Sequence, residues 1–281
     1  MQPITITSAL TSLQAQGLAR LDAQLLLLHL LGQPLQQRSW LLTHDQHSLS
    51  PEQSDQLARL LERRLAGEPL AYLTGYKEFY GLDLQVDARV LVPRPDTETL
   101  VDWALECLQD GHEVLDLGTG SGAIALALKS VRSSLQVSAL DVSAEALTVA
   151  RSNARRLQLE VNFGQGSWFA GLGDAARRFD CIVANPPYIA ALDPHLAALS
   201  HEPLQALTSG ADGLDDLRQI CAAAPGHLKP AGWLLLEHGY DQASAVRLLL
   251  ADAGFEHVQS RRDLSGIERC SGGQFNLTPS P

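Results

Sequence analysis

Cysteine is scarce in this sequence, and its spacing excludes several classes of protein. The 281 residues include four cysteines, which lie far apart and form no C-x-x-C pair: Cys107, Cys181, Cys221 and Cys270. Such spacing favours neither a disulfide framework nor a zinc site, and no histidines show the H-E-x-x-H pattern of metal ligands. We therefore expect a reduced, cytoplasmic protein without a bound metal.

Long hydrophobic runs are also missing. The most apolar stretch, Leu25 to Leu31, contains His29 and is too short to span a bilayer. The start, Met1 to Thr5, lacks the basic segment of an export signal. We expect neither membrane insertion nor export.

Positive charge is in short supply. Lysine and arginine number 21 against 32 aspartate and glutamate residues, and the basic residues occur in scattered pairs such as Arg155-Arg156. A protein that holds nucleic acid by its phosphates needs a concentrated basic surface. The composition therefore predicts no direct nucleic-acid partner. Hydrophobic residues make up 45% of the chain, which suffices for the core of one large domain or of two smaller ones.

The N-terminal part of the chain has the periodicity of helices. From Ile4 to about Ala66 apolar residues recur at helical spacing, and Ser50-Pro51-Glu52-Gln53 has the pattern of a capping box. We predict a small all-α bundle over residues 1–70, for which substrate docking and a purely structural lid are about equally favoured. Glycines and the alternating run Leu82 to Val86 predict a β-hairpin linker over residues 71–92, followed by a larger domain over residues 93–281.

From Glu113 onward, predicted strands and helices alternate. The buried strand Val114 to Leu117 leads through the turn Gly118-Thr119-Gly120-Ser121-Gly122 into a helix, and the next strand, Leu135 to Leu140, ends at Asp141. This order predicts an α/β domain with a doubly wound, mostly parallel sheet. Its ligand is expected at the carboxyl ends of the strands.

The glycine turn and Asp141 together predict a nucleoside cofactor. Glycines let the backbone approach a ligand closely, and the carboxylate of Asp141 is placed to accept from both hydroxyls of a ribose. Trp168 follows the next strand and is either a neighbour of the adenine or a core aromatic. The spacing Gly118-x-Gly120-x-x-Ala123 also satisfies the dinucleotide fingerprint, so a nicotinamide-dependent oxidoreductase stays open as an alternative.

The run Asn185-Pro186-Pro187-Tyr188 follows the apolar strand that begins at Phe179. Its two prolines fix the backbone and hold the side-chain amide of Asn185 and the carbonyl of Pro186 outward. These two oxygens can accept both hydrogens of a planar NH2 group while Tyr188 lies against its flat face. The pattern favours chemistry on an amide or exocyclic nitrogen over an ordinary turn, which Asn-Pro also marks.

The end of the chain predicts a closing antiparallel pair of strands, Phe255 to Ser260 and about Glu268 to Leu277. The second of them contains Ser271-Gly272-Gly273-Gln274. Because adjacent glycines punctuate regular structure, we interpret this run as a strand-end bulge or turn and not as a site.

The glycine turn, Asp141 and the Asn-Pro-Pro-Tyr run, in this order on successive strands, resemble a class I (Rossmann-like) S-adenosylmethionine-dependent methyltransferase that acts on an amino nitrogen. Pro93 to Glu98, Glu202 to Leu214 and the helical N-terminal region extend the resemblance over nearly the whole chain. The sequence is similar to the PrmC/HemK family of peptide chain release factor glutamine methyltransferases. Asn-Pro-Pro-Tyr also occurs in N6-adenine DNA methyltransferases, which are the first alternative, although the acidic balance argues against them.

The resemblance implies methyl transfer from S-adenosyl-L-methionine to the side-chain nitrogen (N5) of the glutamine in the Gly-Gly-Gln motif of class I release factors, with S-adenosyl-L-homocysteine as the product. It implies that Asp141 binds the ribose, that Trp168 borders the adenine and that Asn185, Pro186 and Tyr188 are catalytic. The implied cofactor-binding residues are Gly118, Thr119, Gly120, Ser121, Gly122, Asp141, Trp168 and Asn185. The implied substrate-binding residues are Asn185, Pro186, Pro187 and Tyr188. A non-enzymatic protein that docks on release factors is a further alternative, and a monomer is expected.

Overall fold

The computed structural model describes residues 4–173 and 176–276. The chain divides into two compact units, Met1–Tyr76 and Lys77–Pro281. The division at residues 70 and 92 that the sequence suggests stays a prediction. Within the described ranges, no helix is both long enough and apolar enough to cross a bilayer.

The first unit is helical. Its helices are α1 (Ile6–Ala15), α2 (Arg20–Leu30), α3 (Arg38–Thr43), α4 (Pro51–Leu65) and α5 (Leu70–Thr74). A predominantly leucine core fills the space between them, with three consecutive residues of α2, Leu26 to Leu28, completely buried. The predicted capping box at α4 is confirmed, since the Gln53 N–H donates to Ser50 Oγ at 3.2 Å and the Ser50 N–H donates to Gln53 Oε1 at 2.9 Å.

A two-stranded hairpin, β1 (Tyr76–Phe79) and β2 (Leu82–Gln85), precedes the large sheet. Its second strand is fixed by a buried side-chain amide. The Gln85 N–H donates to Asn153 Oδ1 at 2.7 Å, and Asn153 Nδ2 donates to the Gln85 carbonyl at 3.0 Å. The Asn153 amide thus satisfies both backbone groups of Gln85, as a neighbouring strand would.

The second unit is built on a seven-stranded sheet of order β5-β4-β3-β6-β7-β9-β8. The strands are β3 (Glu113–Leu117), β4 (Gln136–Asp141), β5 (Asn162–Gln165), β6 (Phe179–Ala184), β7 (Leu228–Glu237), β8 (Phe255–Arg262) and β9 (Glu268–Phe275). The first five are parallel, and β9 is antiparallel to both of its neighbours. The predicted mostly parallel sheet is confirmed; the suggested end of the last strand, Leu277, lies outside the described residues.

Helices cover both faces of this sheet. They are α6 (Glu98–Cys107), α7 (Ala123–Val131), α8 (Ala144–Leu157), α9 (Asp215–Ala223) and α10 (Ala243–Asp252). Successive residues of β3 belong to different cores, because side chains alternate along a strand. Val114 packs with residues of α6 and α7, whereas Leu115 packs with residues of α9 and α10. The sheet is therefore doubly wound.

The sheet order places a switch point between β3 and β6. After β3 the chain adds β4 and β5 on one side and then crosses to β6 on the other. At such a point the two connections leave in opposite directions, which opens a crevice at the carboxyl ends of the strands. The glycine turn begins after β3 and the Asn-Pro-Pro-Tyr run begins after β6, so both border this crevice.

The turn predicted at Ser271-Gly272-Gly273-Gln274 is wrong, and the bulge in this part of the sheet lies in the neighbouring strand β8, whose register shifts between Glu256 and Gln259. Residues 271–274 lie inside β9 and pair in unbroken antiparallel register with β7, from Leu236 opposite Ser271 to Trp233 opposite Gln274. The glycines are needed for packing, because a Cβ on Gly272 would lie 2.5 Å from Leu235 Cδ2 and 2.7 Å from the Leu234 carbonyl oxygen. Glycine in a strand often marks such a close approach, which the sequence pattern cannot distinguish from a turn.

Gly272→Ala is therefore expected to lower the free energy of unfolding by about 1 to 3 kcal/mol, since the added methyl group overpacks a buried position. Urea unfolding followed by circular dichroism measures this change. Gly226→Ala is the matched control, because a Cβ there meets nothing within 4 Å. Equal midpoints for the Gly272 variant and the wild type would contradict this account of β9.

Candidate active site

The ends of three strands bring the predicted site residues to one level of the sheet. In the parallel register, Leu117 of β3 lies opposite both Leu140 of β4 and Ala184 of β6. The residues that follow these three are Gly118, Asp141 and Asn185. Although they are far apart in the sequence, the backbone ladder alone places them side by side at the carboxyl edge.

A pocket of ≈ 190 Å³ opens at this edge. Six of the predicted site residues line it: Gly118, Gly120, Asp141, Trp168, Asn185 and Pro187. Further lining residues, which the sequence did not indicate, include Arg89, Val90, Leu91, Gln205 and Asp216. Among the described residues that line this pocket, five of the predicted site residues are not found: Thr119, Ser121, Gly122, Pro186 and Tyr188. The site thus combines the glycine turn, a carboxylate, an indole and an amide.

A buried carboxyl group, that of Asp116, bonds to the glycine turn and to the start of α7. Thr119 Oγ1 donates to Asp116 Oδ2 at 2.6 Å, and the Ala125 N–H at the start of α7 donates to the same oxygen at 3.3 Å. Asp116 is completely buried, and its other oxygen, Oδ1, has no hydrogen-bond partner among the described residues. Burial raises the pKa of Asp116 to about 7.

Two positions of the turn depend on glycine. Gly118 has φ +71°, and a Cβ there would lie 3.4 Å from Trp168 Cζ3, so the indole packs directly over this residue. Gly120 has φ +56° and presents open space on the side where a Cβ would stand. The left-handed backbone at both positions favours glycine over residues with a side chain. The Trp168 indole and the glycine turn together form one wall of the pocket.

Asp141 has a structural role that the sequence did not reveal. Its Oδ2 accepts from the Gly120 N–H at 2.8 Å and its Oδ1 accepts from the Ser143 N–H at 2.9 Å. The carboxylate therefore fixes the glycine turn to the end of β4 while it lines the pocket. Burial raises the pKa of Asp141, and the hydrogen bonds that its carboxylate accepts from backbone N–H groups oppose this rise.

Trp168 is both a pocket residue and a packing residue. Its indole Nε1 donates to Asp216 Oδ1 at 3.2 Å, and it also packs against the core on the α9 side of the sheet. Asp216 lies in the first turn of α9 and lines the same pocket. The two interpretations of Trp168, adenine neighbour and core aromatic, are therefore not exclusive.

After β6, the Asn-Pro-Pro-Tyr run is bonded to other segments through the Asn185 side chain and the Tyr188 backbone. Asn185 Nδ2 donates to Thr97 Oγ1 at 3.3 Å, and the Tyr188 carbonyl accepts from Gln242 Nε2 at 2.9 Å. A Cβ on Gly213 would lie only 2.2 Å from the Tyr188 oxygen, so the 210–214 segment packs closely against this backbone. Burial raises the pKa of the Tyr188 phenol, which stays neutral at ordinary pH.

A partly buried ion pair joins two segments that flank the pocket. Arg94 Nη2 contacts Glu202 Oε1, and Glu202 Oε2 accepts from the Val92 N–H at 3.0 Å. The Glu202 side chain is only 3% exposed, so the bonds to Arg94 and Val92 compensate for its burial. The segments at residues 92–94 and 202–206 are thereby joined beside the pocket, to which Pro203, Gln205 and Ala206 contribute.

Glu237 and Thr97 are further residues of the site that sequence reasoning missed. Glu237 ends β7, is 1% exposed, and has a pKa that burial raises to about 7. The signal was present in the sequence, because Leu234-Leu235-Leu236-Glu237 places an acid at the end of an apolar strand, as Asp116 lies within another. Thr97 belongs to the Pro93 to Glu98 stretch that extends the resemblance, but the sequence gave it no role of its own, and its contact with Asn185 identifies it.

Comparison with known proteins defines the class of this fold. Residues 97–238 match the family model described as the methyltransferase small domain. A solved methyltransferase from Pyrococcus furiosus superposes with a TM-score of 0.56 at 21% identity, covering 80% of this chain and all of the other. The fold is that of a class I methyltransferase.

Sequence relatives narrow this to one family. Residues 5–75 match the model described as the PrmC N-terminal domain. The release factor glutamine methyltransferase of Bordetella pertussis is 50% identical over 92% of this chain and 95% of its own length, and that of Vibrio cholerae is 48% identical over 91% and 89%. The chain belongs to the release factor glutamine methyltransferase family, which confirms the resemblance seen in its motifs.

Proposed function

We propose that this chain transfers a methyl group from S-adenosyl-L-methionine to the side-chain amide nitrogen (N5) of the glutamine in the Gly-Gly-Gln motif of class I peptide chain release factors, and releases S-adenosyl-L-homocysteine. One structural observation carries the proposal: the register of β3, β4 and β6 aligns Gly118, Asp141 and Asn185 at the switch point of the sheet. This register supports the proposal because it brings the residues proposed for the cofactor and for the substrate amide next to each other. The printed names of the relatives point to the same substrate.

The residues around the pocket fit this cofactor. The turn from Gly118 to Gly122 offers an approach free of side chains at Gly120, Asp141 offers a carboxylate to ribose hydroxyls, and Trp168 offers an apolar wall to a purine. Each Asp141 oxygen accepts one backbone N–H and retains a further lone pair. When bound, S-adenosyl-L-methionine supplies an electrophilic methyl carbon on a sulfonium centre.

In the proposed reaction Asn185 and Pro186 hold the substrate amide. Asn185 Nδ2 already donates to Thr97, which leaves Oδ1 as the free acceptor of the side chain. We propose that Asn185 Oδ1 and the Pro186 carbonyl each accept one hydrogen of the glutamine NH2 group, while Pro187 and Tyr188 complete the binding surface. Two acceptors draw electron density toward nitrogen and stabilise the positive charge that develops there.

Positioning supplies the rest of the proposed rate enhancement. Holding the amide nitrogen in line with the methyl carbon turns a bimolecular encounter into a reaction within one complex. We assign no general base, because an amide nitrogen that has gained a methyl group is strongly acidic and can release its proton to water. The Tyr188 phenol can add a cation–π contribution of roughly 0.5 to 2 kcal/mol.

The proposed setting follows from the same comparisons. A release factor is the proposed partner, with docking assigned to the helical N-terminal unit, and the cytoplasm is the proposed compartment, in which four unpaired thiols are ordinary. A monomer that contacts neither membrane nor nucleic acid stays a prediction. Family membership does not favour the N6-adenine DNA methyltransferase alternative, and it argues against an oxidoreductase and a purely docking protein.

Labelling of a purified release factor tests the proposal. Incubation with methyl-labelled S-adenosyl-L-methionine and a class I release factor made without its methyltransferase should place one label per molecule on the Gly-Gly-Gln glutamine, located by tandem mass spectrometry. A release factor with glutamate in place of that glutamine is the control and should stay unlabelled. Label at any other residue, or label in duplex DNA but not in the release factor, would contradict the proposal.

A further inference from the structure

A buried carboxylate lies beside the proposed catalytic amide, and the activity described above does not account for it. In the register of β6 and β7, Ala184 lies opposite Leu236, so the next residues, Asn185 and Glu237, are neighbours at the carboxyl edge. Glu237 is 1% exposed, and its Oε2 has no hydrogen-bond partner among the described residues. Burial raises the pKa of this carboxyl group, and hydrogen bonding by the Thr97 hydroxyl and the Asn185 amide opposes that rise.

Fold stability does not explain an acid at this position. A carboxylate buried with an unpartnered oxygen costs free energy, whereas an apolar side chain at the end of β7 would cost none. Arg269, whose charge lowers the pKa of Glu237, approaches two other carboxylates, Asp263 at 3.4 Å and Asp96 at 3.5 Å. Buried, perturbed carboxyl groups of this kind cluster at functional sites.

The side-chain amide of Asn185 has an orientation that must be fixed. Its oxygen and nitrogen have almost the same shape, so packing alone does not decide which of them faces the substrate. Nδ2 donates to Thr97 Oγ1 at 3.3 Å, and this contact selects the nitrogen when the Thr97 hydroxyl gives its own proton to Glu237, because a free hydroxyl could also donate to an amide oxygen. An ionised Glu237 adds a second reason, because a carboxylate accepts N–H groups and repels an amide oxygen.

We propose that Glu237, acting together with Thr97, is a positioning residue that orients the Asn185 amide so that Oδ1 faces the substrate. The inference rests on the proposed role of Asn185. Glu237 does not touch the reacting atoms in this account. It holds the Nδ2 side of the amide.

The ionisation of Glu237 should control this orientation. Burial raises its pKa to about 7; the charge of Asp96 acts in the same direction, and Arg269 opposes it. The Tyr188 phenol and the Cys270 thiol also face Glu237, and both stay neutral because burial raises their pKa. Below the pKa, a protonated Glu237 can donate to Asn185 Oδ1 and favour the reversed amide. Consequently kcat should rise with pH through about 7 and then level off.

Conservative variants of both residues test the inference. Glu237→Gln keeps the shape and removes the charge, and kcat should fall roughly ten- to a hundredfold, as expected for a lost hydrogen bond to a charged group. The Kd for S-adenosyl-L-methionine and the KM for the release factor should change less than threefold, and the rise in kcat near pH 7 should disappear. Glu113→Gln is the matched control, since Glu113 starts β3 at the opposite edge of the sheet and pairs with Lys229 at 3.0 Å.

Thr97 supplies a second pair of variants, which decides the matter if Glu237→Gln folds poorly. Thr97→Val removes the hydroxyl and should lower kcat about tenfold, whereas Thr97→Ser keeps it and should stay within twofold of the wild type. Wild-type kcat in both Glu237→Gln and Thr97→Val, with the pH dependence unchanged and Asn185→Ala inactive, would overturn this inference and leave the proposed site intact. Full activity of Asn185→Ala would instead overturn the proposed site itself.

Discussion

Asn185→Ala is expected to lower kcat for methyl transfer by about 10²- to 10³-fold, as loss of one preorganised group facing developing charge does in other enzymes. The expectation follows from geometry: Asn185 leaves β6 at the level where the glycine turn leaves β3, with Nδ2 bonded to Thr97 and Oδ1 free to accept. Alanine removes one of the two proposed acceptors of the substrate NH2 group. The amide nitrogen then keeps its delocalised, weakly nucleophilic lone pair.

Cofactor binding should survive in this variant. Asn185 is one of several residues on the pocket wall, and the glycine turn, Asp141 and Trp168 are unchanged. Single-turnover label transfer measures the chemical step, and isothermal calorimetry measures the Kd for S-adenosyl-L-methionine, which should change less than threefold. Asn276→Ala is the matched control, since Asn276 bonds to Glu256 at an exposed position. Equal turnover of the Asn185 variant and the wild type would falsify the proposed role.

Asp141→Asn should have its largest effect on cofactor affinity. The variant keeps the size of the side chain but replaces a charged acceptor with a neutral one, and one of its two polar atoms becomes a donor. The bond from the Gly120 N–H or that from the Ser143 N–H is then lost, as is a charge-assisted bond to a ribose hydroxyl. At about 1.5 to 3 kcal/mol for a hydrogen bond to a charged group, the Kd should rise roughly 10- to 150-fold.

The design of this measurement separates binding from chemistry. At saturating cofactor, kcat should fall no more than about fivefold, because Asp141 is not proposed to touch the reacting atoms. Asp180→Asn is the matched control, as Asp180 lies near the start of β6, at the other edge of the sheet, where it accepts from Lys229 at 2.8 Å. An unchanged Kd in the Asp141 variant would contradict its assignment to the cofactor.

Local signals in the sequence predicted many of the strands and the parallel character of the sheet. Apolar runs that end in glycine or proline marked β3 and β6, and alternation with helical segments predicted a parallel sheet. The order of the strands lay beyond such signals, because the pairing of β3 with β6 joins residues more than sixty positions apart. Sequence reasoning could place Gly118 and Asn185 each at a strand end, but only the register makes them neighbours.

Thr97 was missed for the same reason: its contact in the site joins residues far apart in the sequence. Thr97 and Asn185 are 88 positions apart, and no periodicity links a residue before α6 to the end of β6. Glu237 and Asp116 did leave a trace, since each is an acid within an apolar run. The structural role of Asp141 left no trace in the sequence, because its bonds to the Gly120 and Ser143 N–H groups depend on the exact path of two turns.

The protein contains within its own sheet the same three letters, Gly-Gly-Gln, that its proposed target displays. Gln274 lies opposite Trp233, toward the start of β7, and its amide is occupied by the Ala231 carbonyl at 2.9 Å. If the enzyme recognised only these three residues, its own Gly-Gly-Gln segment would compete with that of the target for the active site. Because Gln274 is held in a strand ladder, we expect it to stay unmodified in any labelling reaction, which would mean that recognition depends on more than these three residues.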